Sequence, residues 1–492
     1  MEKVKQASKF EKIAAWCWNL LNEGKPFTPI FSVGTFLLFH FYLLGEGAFW
    51  PAFALSLIFI VPLLVIYYLY DFPLFLRNYL WIPIIVYLIM FEGANIGLLL
   101  FAAGLYFFFT VFFWGTFYYH LRIGTSWMNF TRFWKLVLKN SDSTSGNAQE
   151  QLPKFILILS VWDYSFSILS NGGSVQDVNW QSLLLFYGSL LIYTFILHKY
   201  LFDWKPKPVS SYTHNAEVPE KGVNDKVVVI VIDGMRKERF EEADTPYLDY
   251  LRKNGTEFAK METVYPARTV VCFSSMFTGT YPFEHGIKSN MVWRFGVRTE
   301  SIFDSLRRVK KKGKMLAVAH LVDAFGDDVE TFTAVMKNDV VDYKIMEKAK
   351  QIMDEQDPEL FIVQLISTDQ TGHSRGVFYD EYLQKIREAD QLVKNFIEHL
   401  KETGKAENTT FIICADHGQA DGIGGHGHLD EGERIVPFFM YGPAIQKGSV
   451  VEEKHSLVSV APTLAYLLGA PYPSHSRGPV LTEAFKKEGS AK

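Results

Sequence analysis

Between residues 27 and 200 the chain is written in long blocks of Phe, Leu, Ile and Tyr, separated only by short polar breaks. Few constraints on a fold are stronger, because such blocks need an apolar solvent on most of their faces, and crossing a bilayer takes about 20 consecutive apolar residues. Stretches of this kind lie at 27–44, 50–70, 79–91, 96–119 and 180–198. The third is short, and its ends can borrow from 72–76. A sixth, "FILILSVWDYSFSILS" at 155–170, carries Asp163 near its middle. A carboxylate at that depth costs a few kcal/mol, so this stretch is either a true span or an interfacial or re-entrant helix.

Ahead of the blocks, residues 1–26 set Lys3, Lys5, Lys9 and Lys12 among Trp16, Trp18 and Leu20. The segment is too polar for a signal-peptide core and reads as an interfacial helix. Arg77, Arg122, Arg132, Lys135 and Lys139 mark their loops as cytoplasmic by the positive-inside rule. Five spans then carry the rest of the chain outside and six keep it inside; Lys199, Lys205 and Lys207 favour the inside.

After residue 205 the composition becomes that of a soluble α/β protein, which explains how the whole chain reaches 49% hydrophobic residues and 16% aromatics. The expected organisation is an interfacial segment at 1–26, a transmembrane helical domain at 27–200, a linker at 201–225 and a catalytic domain at 226–485. A net charge of -4, with no basic run interleaved with aromatics, argues against nucleic acid as a partner. Cys17, Cys272 and Cys414 are too scattered for a disulfide framework or a thiolate metal site.

"DKVVVIVIDGMR" is an unbroken β-branched run ending at Asp233, the pattern of a strand buried on both faces of a parallel sheet. Further strands are expected at 315–320, 360–367 and 409–415, with helices at 301–309, 343–355 and 379–403, a doubly wound alternation. Two of these strands also end in acid and imidazole: "STDQTGH" delivers Asp369 and His373, and "ADHGQADGIGGHGH" delivers Asp416, His417, His426 and His428. One such ending is an ordinary turn or cap. Three at one sheet edge bring together like charges that cations would relieve. Oxygen and nitrogen ligands without sulfur suit Zn²⁺, with Mn²⁺ also accommodated, and six or more ligands suit two ions that clamp both oxygens of a phosphoryl displacement.

The ordered motifs "VIDGMR", "RTVVCFSSMFTGTYPFEHGI", "DQTGH", "ADHG" and "GGHG" resemble the alkaline phosphatase superfamily, in particular its type I phosphodiesterase/nucleotide pyrophosphatase branch, over residues 227 to about 473. That resemblance implies an α/β domain with a mostly parallel sheet sandwiched by helices. It also implies a threonine nucleophile, Thr269, preceded by Arg268. Carried over position by position, it puts Asp369, His373 and His426 on one divalent ion, and Asp233, Thr269, Asp416 and His417 on the other. The family's amide donor is expected three residues after the nucleophile, where this chain has Cys272, a poor donor. Arg268 is then a substitute donor to the phosphoryl oxygens, or else a surface residue. Cys272 is a competing nucleophile, and His428 competes with His426 as a ligand. Ser274, Ser275 and Thr278 are expected to pack within their helix and His285 to serve a turn; Asp421 and Asp430 read as loop acids.

The leading expectation is a membrane-embedded phosphohydrolase that cleaves a phosphodiester or phosphomonoester, one carried by a lipid head group included, through a phosphothreonine. The alternative is transfer of a phosphoryl head group to another acceptor, as in the similar lipoteichoic acid synthases and phosphoethanolamine transferases. A metal-binding module without turnover is disfavoured by the intact nucleophile. There is little room for an inserted cap, so an open site is expected, on the extracytoplasmic face as in membrane-attached relatives.

Overall fold

The computed structural model describes residues 24–70, 79–91, 93–118, 127–132, 148–201, 207–290, 292, 295–332, 338–421, 425–427 and 430–486, together with residues 9, 13 and 21. The expected interfacial helix at 1–26, the basic loop residues Arg77, Arg122, Lys135 and Lys139, and His428 lie wholly or mostly outside these. The chain divides into two compact units, residues 20–204 and residues from 205 onward.

The first unit is helical: α1 Gly24–Phe39, α2 Phe49–Leu69, α3 Trp81–Met90, α4 Ile96–Phe108, α5 Ala148–Ser170 and α6 Trp180–Leu201. A π-helical stretch, Phe109–Tyr118, extends α4. Among the described residues three helices are long and apolar enough to cross a membrane, Phe49–Leu69, Glu150–Ser170 and Trp180–Tyr200, which marks an integral membrane protein. The stretch left open by the sequence is therefore part of a helix of crossing length. That helix begins seven residues upstream of 155 and carries Pro153 in its second turn.

Helix α5 is also the most enclosed of the three. Its polar side chains face other helices: Trp162 Nε1 donates to Ser56 Oγ at 2.8 Å, and Gln151 Oε1 accepts from Thr28 at 2.7 Å. Asp163 accepts from Asn95 Nδ2 at 3.3 Å and lies 3.6 Å from His40 Nε2. Those partners account for a carboxylate within an apolar helix, since an ionisable group at membrane depth is tolerated where protein surrounds it.

The second unit is a mixed, mostly parallel sheet of nine strands: β1 Lys226–Ile232, β2 Thr256–Glu262, β3 Gly313–Ala317, β4 Val329–Thr331, β5 Leu360–Leu365, β6 Thr409–Cys414, β7 Ile435–Val436, β8 Phe438–Tyr441 and β9 Ser449–Ser456. Their order is β4-β3-β5-β1-β6-β8-β2-β7, with β9 paired to β2. β1 lies between β5 and β6, parallel to both, in registers Val227↔Leu360 and Val227↔Thr410. This central position accounts for its unbroken apolar run, buried from Val227 to Ile232.

The helices that matter for the site are α7 Thr269–Thr278, α8 Asn338–Glu355, α9 Ser367–Arg375 and α10 Asp380–Glu402. The strand expected at 315–320 ends at Ala317 and turns into a short 3₁₀ helix, Ala319–Leu321. The strand expected at 360–367 ends at Leu365, because Ser367 already belongs to α9.

Candidate metal centre

Because β1, β5 and β6 are adjacent and parallel, their carboxyl ends open on one edge, the place where open α/β sheets gather ligands. Asp233 follows β1, Asp416 and His417 follow β6, and Asp369 and His373 lie on α9, which leaves β5 one turn earlier. His426 enters from the loop after β6, and Thr269 opens α7.

Two glycines make the convergence possible. Gly234 has φ +64, and a Cβ there would meet Asp369 Oδ1 at 2.6 Å. Gly427 has φ +96, and a Cβ there would meet Arg268 Nε at 2.7 Å. Both positions demand the left-handed backbone and the missing side chain together. Tyr382 of α10 braces the first turn, its hydroxyl donating to Gly234 O at 2.6 Å and accepting from Arg236 N at 2.9 Å.

Hydrogen bonds fix the tautomers of two imidazoles. His417 Nδ1 lies 2.8 Å from Gly418 O, and His426 Nδ1 lies 2.7 Å from Ala267 O. A carbonyl only accepts, so each Nδ1 carries a proton and Nε2 is the nitrogen turned inward. Around His417 Nε2 stand Thr269 Oγ1 at 3.3 Å, Asp416 Oδ2 at 3.4 Å and Asp233 Oδ1 at 3.5 Å. Around His426 Nε2 stand His373 Nε2 at 3.1 Å and Asp369 Oδ1 at 3.8 Å, with Asp369 Oδ2 3.2 Å from His373 Nε2. Asp233 Oδ1 and Asp416 Oδ2 are buried without a hydrogen-bond partner.

Acceptors facing acceptors repel unless a cation lies among them. Zinc–ligand bonds of about 2.0–2.1 Å at tetrahedral angles put neighbouring ligand atoms about 3.3–3.4 Å apart. The spacings observed, 3.1 to 3.8 Å, bracket that distance. Asp233, Asp416 and His417 offer atoms within 4.8 Å of one another, and so do Asp369, His417 and His426, which makes His417 the group common to both clusters. His373, a quarter exposed, touches the second cluster through Asp369 and His426.

The electrostatics agree. Burial first, then the charges of Asp416 and Asp369, push the Asp233 carboxyl well above the usual range. Burial also raises Asp416. Burial lowers His426, with His417 adding to the effect. Amide side chains hold two of the acids: Gln364 Nε2 donates to Asp233 Oδ2 at 2.6 Å, and Gln419 Nε2 donates to Asp369 Oδ1 at 2.7 Å. Neither glutamine carries a signal in the sequence, because each is recognisable only by the carboxylate it reaches.

Other expected residues take plain positions. Arg268 is not at the surface: it is 1% exposed and lies beneath Gly427. Cys272 is wholly buried with its thiol 3.2 Å from Thr263 Oγ1, and burial, then Asp416, push that thiol well up, against a role as nucleophile. Asn290 Oδ1 accepts from Val270 N at 2.9 Å, which sets its side chain beside the backbone that follows Thr269. Ser274 and Thr278 bond back to carbonyls one turn earlier, at 2.6 Å each. His285, buried, pairs with Ser275 at 2.9 Å and accepts from Ile287 N, and burial pushes it down to about 3. Asp421 pairs with Arg236 at 2.6 Å, and Asp430 stands at the start of a short helix, Glu431–Arg434.

Comparison with known proteins gives a match of residues 225–470 to the family described as Sulfatase. The catalytic subunit of human GPI ethanolamine phosphate transferase 3 is 32% identical over 150 residues, 30% of this chain and 13% of the relative. GPI ethanolamine phosphate transferase 2 of Aspergillus fumigatus is 26% identical over 287 residues, 53% of this chain and 37% of the relative. This chain thus spans well under half the length of these relatives. Among solved structures, murine ectonucleotide pyrophosphatase/phosphodiesterase 5 is similar at 16% identity and TM-score 0.43, over 51% of this chain and 96% of that one. The alkaline phosphatase PafA is similar at 12% identity and TM-score 0.47, over 55% of this chain and all of that one.

Proposed function

From a chain that belongs to the sulfatase family, within the alkaline phosphatase superfamily, we infer a membrane-bound, metal-dependent transferase that moves a phosphoethanolamine-type head group from a lipid donor to a hydroxyl acceptor. The sequence alone put hydrolysis first and transfer second. The relatives named for ethanolamine phosphate transfer reverse that order, because hydrolysis and transfer use one ligand set and differ only in the second acceptor.

The observation that carries the reading is the placing of Thr269 Oγ1, at the start of a buried helix, 3.3 Å from His417 Nε2 and beside two carboxylates that each keep one buried oxygen without a hydrogen bond. Asp233, Thr269, Asp416 and His417 would hold one divalent ion and Asp369, His373 and His426 a second, Zn²⁺ or Mn²⁺ by ligand type. Such ions, when bound, lower the pKa of a coordinated hydroxyl and offset charge on the phosphoryl oxygens.

Thr269 Oγ1 attacks phosphorus, its proton passing to the departing oxygen as the bond from phosphorus to the lipid's glycerol breaks, so that diacylglycerol leaves and a phosphoethanolamine ester remains on Thr269. In this reading the Asn290 amide, held beside Thr269 by its Oδ1 accepting from Val270 N, turns its Nδ2 donors to the phosphoryl oxygens. Arg268, beneath Gly427, adds positive charge. The acceptor hydroxyl then attacks from the opposite side and restores Thr269. The catalytic domain is proposed to face the extracytoplasmic side, and cysteine labelling of intact cells within residues 210–220 tests this: protection from an impermeant reagent places it inside.

The deciding assay supplies a fluorescent phosphatidylethanolamine and follows both products. Expected are diacylglycerol release and labelled acceptor, both lost in Thr269→Ala. Release of free phosphoethanolamine without any acceptor product would return the reading to hydrolysis.

A further inference from the structure

A third cluster of ligand-type side chains lies in the catalytic unit, on the far strand of its sheet. Glu453 and His455 are two residues apart on β9, so both point to the same face of that strand. Glu483 comes from a 3₁₀ turn, Thr482–Ala484, near the end of the chain. The three offer ligand atoms within 4.8 Å of one another.

The carboxylates of Glu453 and Glu483 are exposed, whereas the His455 side chain is 8% exposed. His455 is held edge-on to Phe258, with ring centroids 5.2 Å apart at 89°. Its Nε2 is buried and makes no hydrogen bond. Glu483 Oε1 lies 3.4 Å away, within reach but not in hydrogen-bonding geometry. The intervening Lys454 does not neutralise the cluster, because it points to the other face of β9 and pairs with Glu262 at 2.8 Å. Glu452, on that other face, pairs with Lys260 at 3.6 Å.

Two carboxylates and one buried imidazole nitrogen that makes no hydrogen bond thus converge. The 3.4 Å separation equals the edge of a zinc coordination tetrahedron, about 3.3–3.4 Å. We propose that Glu453, His455 and Glu483 bind one divalent transition-metal ion of the Zn²⁺ class, with water completing the shell, at a site separate from the catalytic residues. The ion joins the last 3₁₀ turn to β9. β9 in turn pairs with β2 in the register Met261↔His455, and β2 leads into the segment that carries Thr269. An ion here serves the structure of the sheet's outer edge.

The test uses the full-length protein in detergent, stripped with a chelator and dialysed against Zn²⁺, with bound metal counted by elemental analysis. His455→Asn is expected to hold one Zn²⁺ fewer per chain than the unaltered protein. Glu483→Gln, exposed and conservative, is expected to weaken one binding step at least tenfold in a Zn²⁺ titration. Asp416→Asn should disturb other steps, and its losses should add to those of His455→Asn. Equal ion content and equal affinities in the unaltered protein and His455→Asn overturn the proposal. If His455→Asn does not fold, an unchanged titration of Glu483→Gln overturns it equally.

Discussion

Gln364 is the sharpest place to probe the centre, because it touches no proposed ion yet dictates what one ligand can do. It is wholly buried in β5, opposite Val231 of β1. Its Oε1 accepts from Val318 N at 3.0 Å and its Nε2 donates to Asp233 Oδ2 at 2.6 Å. One carboxylate oxygen is therefore occupied, and Oδ1 is left to face His417. Gln364→Met keeps the volume and deletes both bonds. A bond to a charged acceptor contributes about 2 kcal/mol and a neutral one about 1 kcal/mol, so the metal-loaded protein should lose about 3 kcal/mol of stability. Loss of a group that orients a metal ligand typically lowers affinity about 10- to 100-fold, or about 1.4–2.8 kcal/mol. The Asp233 carboxyl, already raised by burial and by Asp416, rises further without the amide, so protons compete better with the ion. Competition titration against a chromophoric chelator at neutral pH measures the affinity directly. If Gln364→Met bound its ions within twofold of the unaltered protein, Asp233 would not be held by this amide in the way described, and the account of the centre's preorganisation would fail.

Three further outcomes are expected. Thr269→Ala should lower kcat/KM on a lipid donor by at least about a thousandfold while ion content changes little, whereas Thr269→Ser retains turnover; mass spectrometry of trapped enzyme checks for the phosphorylated residue. Gly427→Ala, which forces a Cβ against Arg268 on a left-handed backbone, should cost more than about 1 kcal/mol in thermal unfolding and weaken ion binding through His426. Asp342, on α8, accepts from Ile366 N at 2.9 Å and Ser367 N at 3.2 Å at the start of α9, and burial raises its carboxyl to about 6. A raised acid favours its neutral form in the fold, so its contribution is full below the ordinary aspartate range and lost as pH rises through about 6, an effect of about 3 kcal/mol. Asp342→Asn should flatten the unfolding midpoint between pH 4 and 7 relative to the unaltered protein.

What could be read from the sequence was whatever announces itself locally. The run ending at Asp233 had to be a central strand, because six consecutive buried apolar residues have no exposed face to offer. The strands before Asp369 and Asp416 were readable for the same reason. β2 and β9 were not, since "TEFAKME" and "SVVEEKHS" alternate with charged residues and look like surface loop or edge. Their pairing is a long-range fact. The membrane helix around Asp163 was ambiguous because its polar residues are satisfied only by partners on other helices, His40 and Asn95. Within the centre, the acids and imidazoles were visible as motif endings. Asn290, Gln364 and Gln419 were not, because an amide becomes significant only through the atom it meets 2.6–2.9 Å away.

Every residue of α7, from Thr269 to Thr278, is buried. A helix enclosed along its whole length leaves no side chain that can be exchanged without disturbing the interior. Sequence change is therefore freer at exposed positions such as Phe378 and Tyr379 than along the element that carries Thr269.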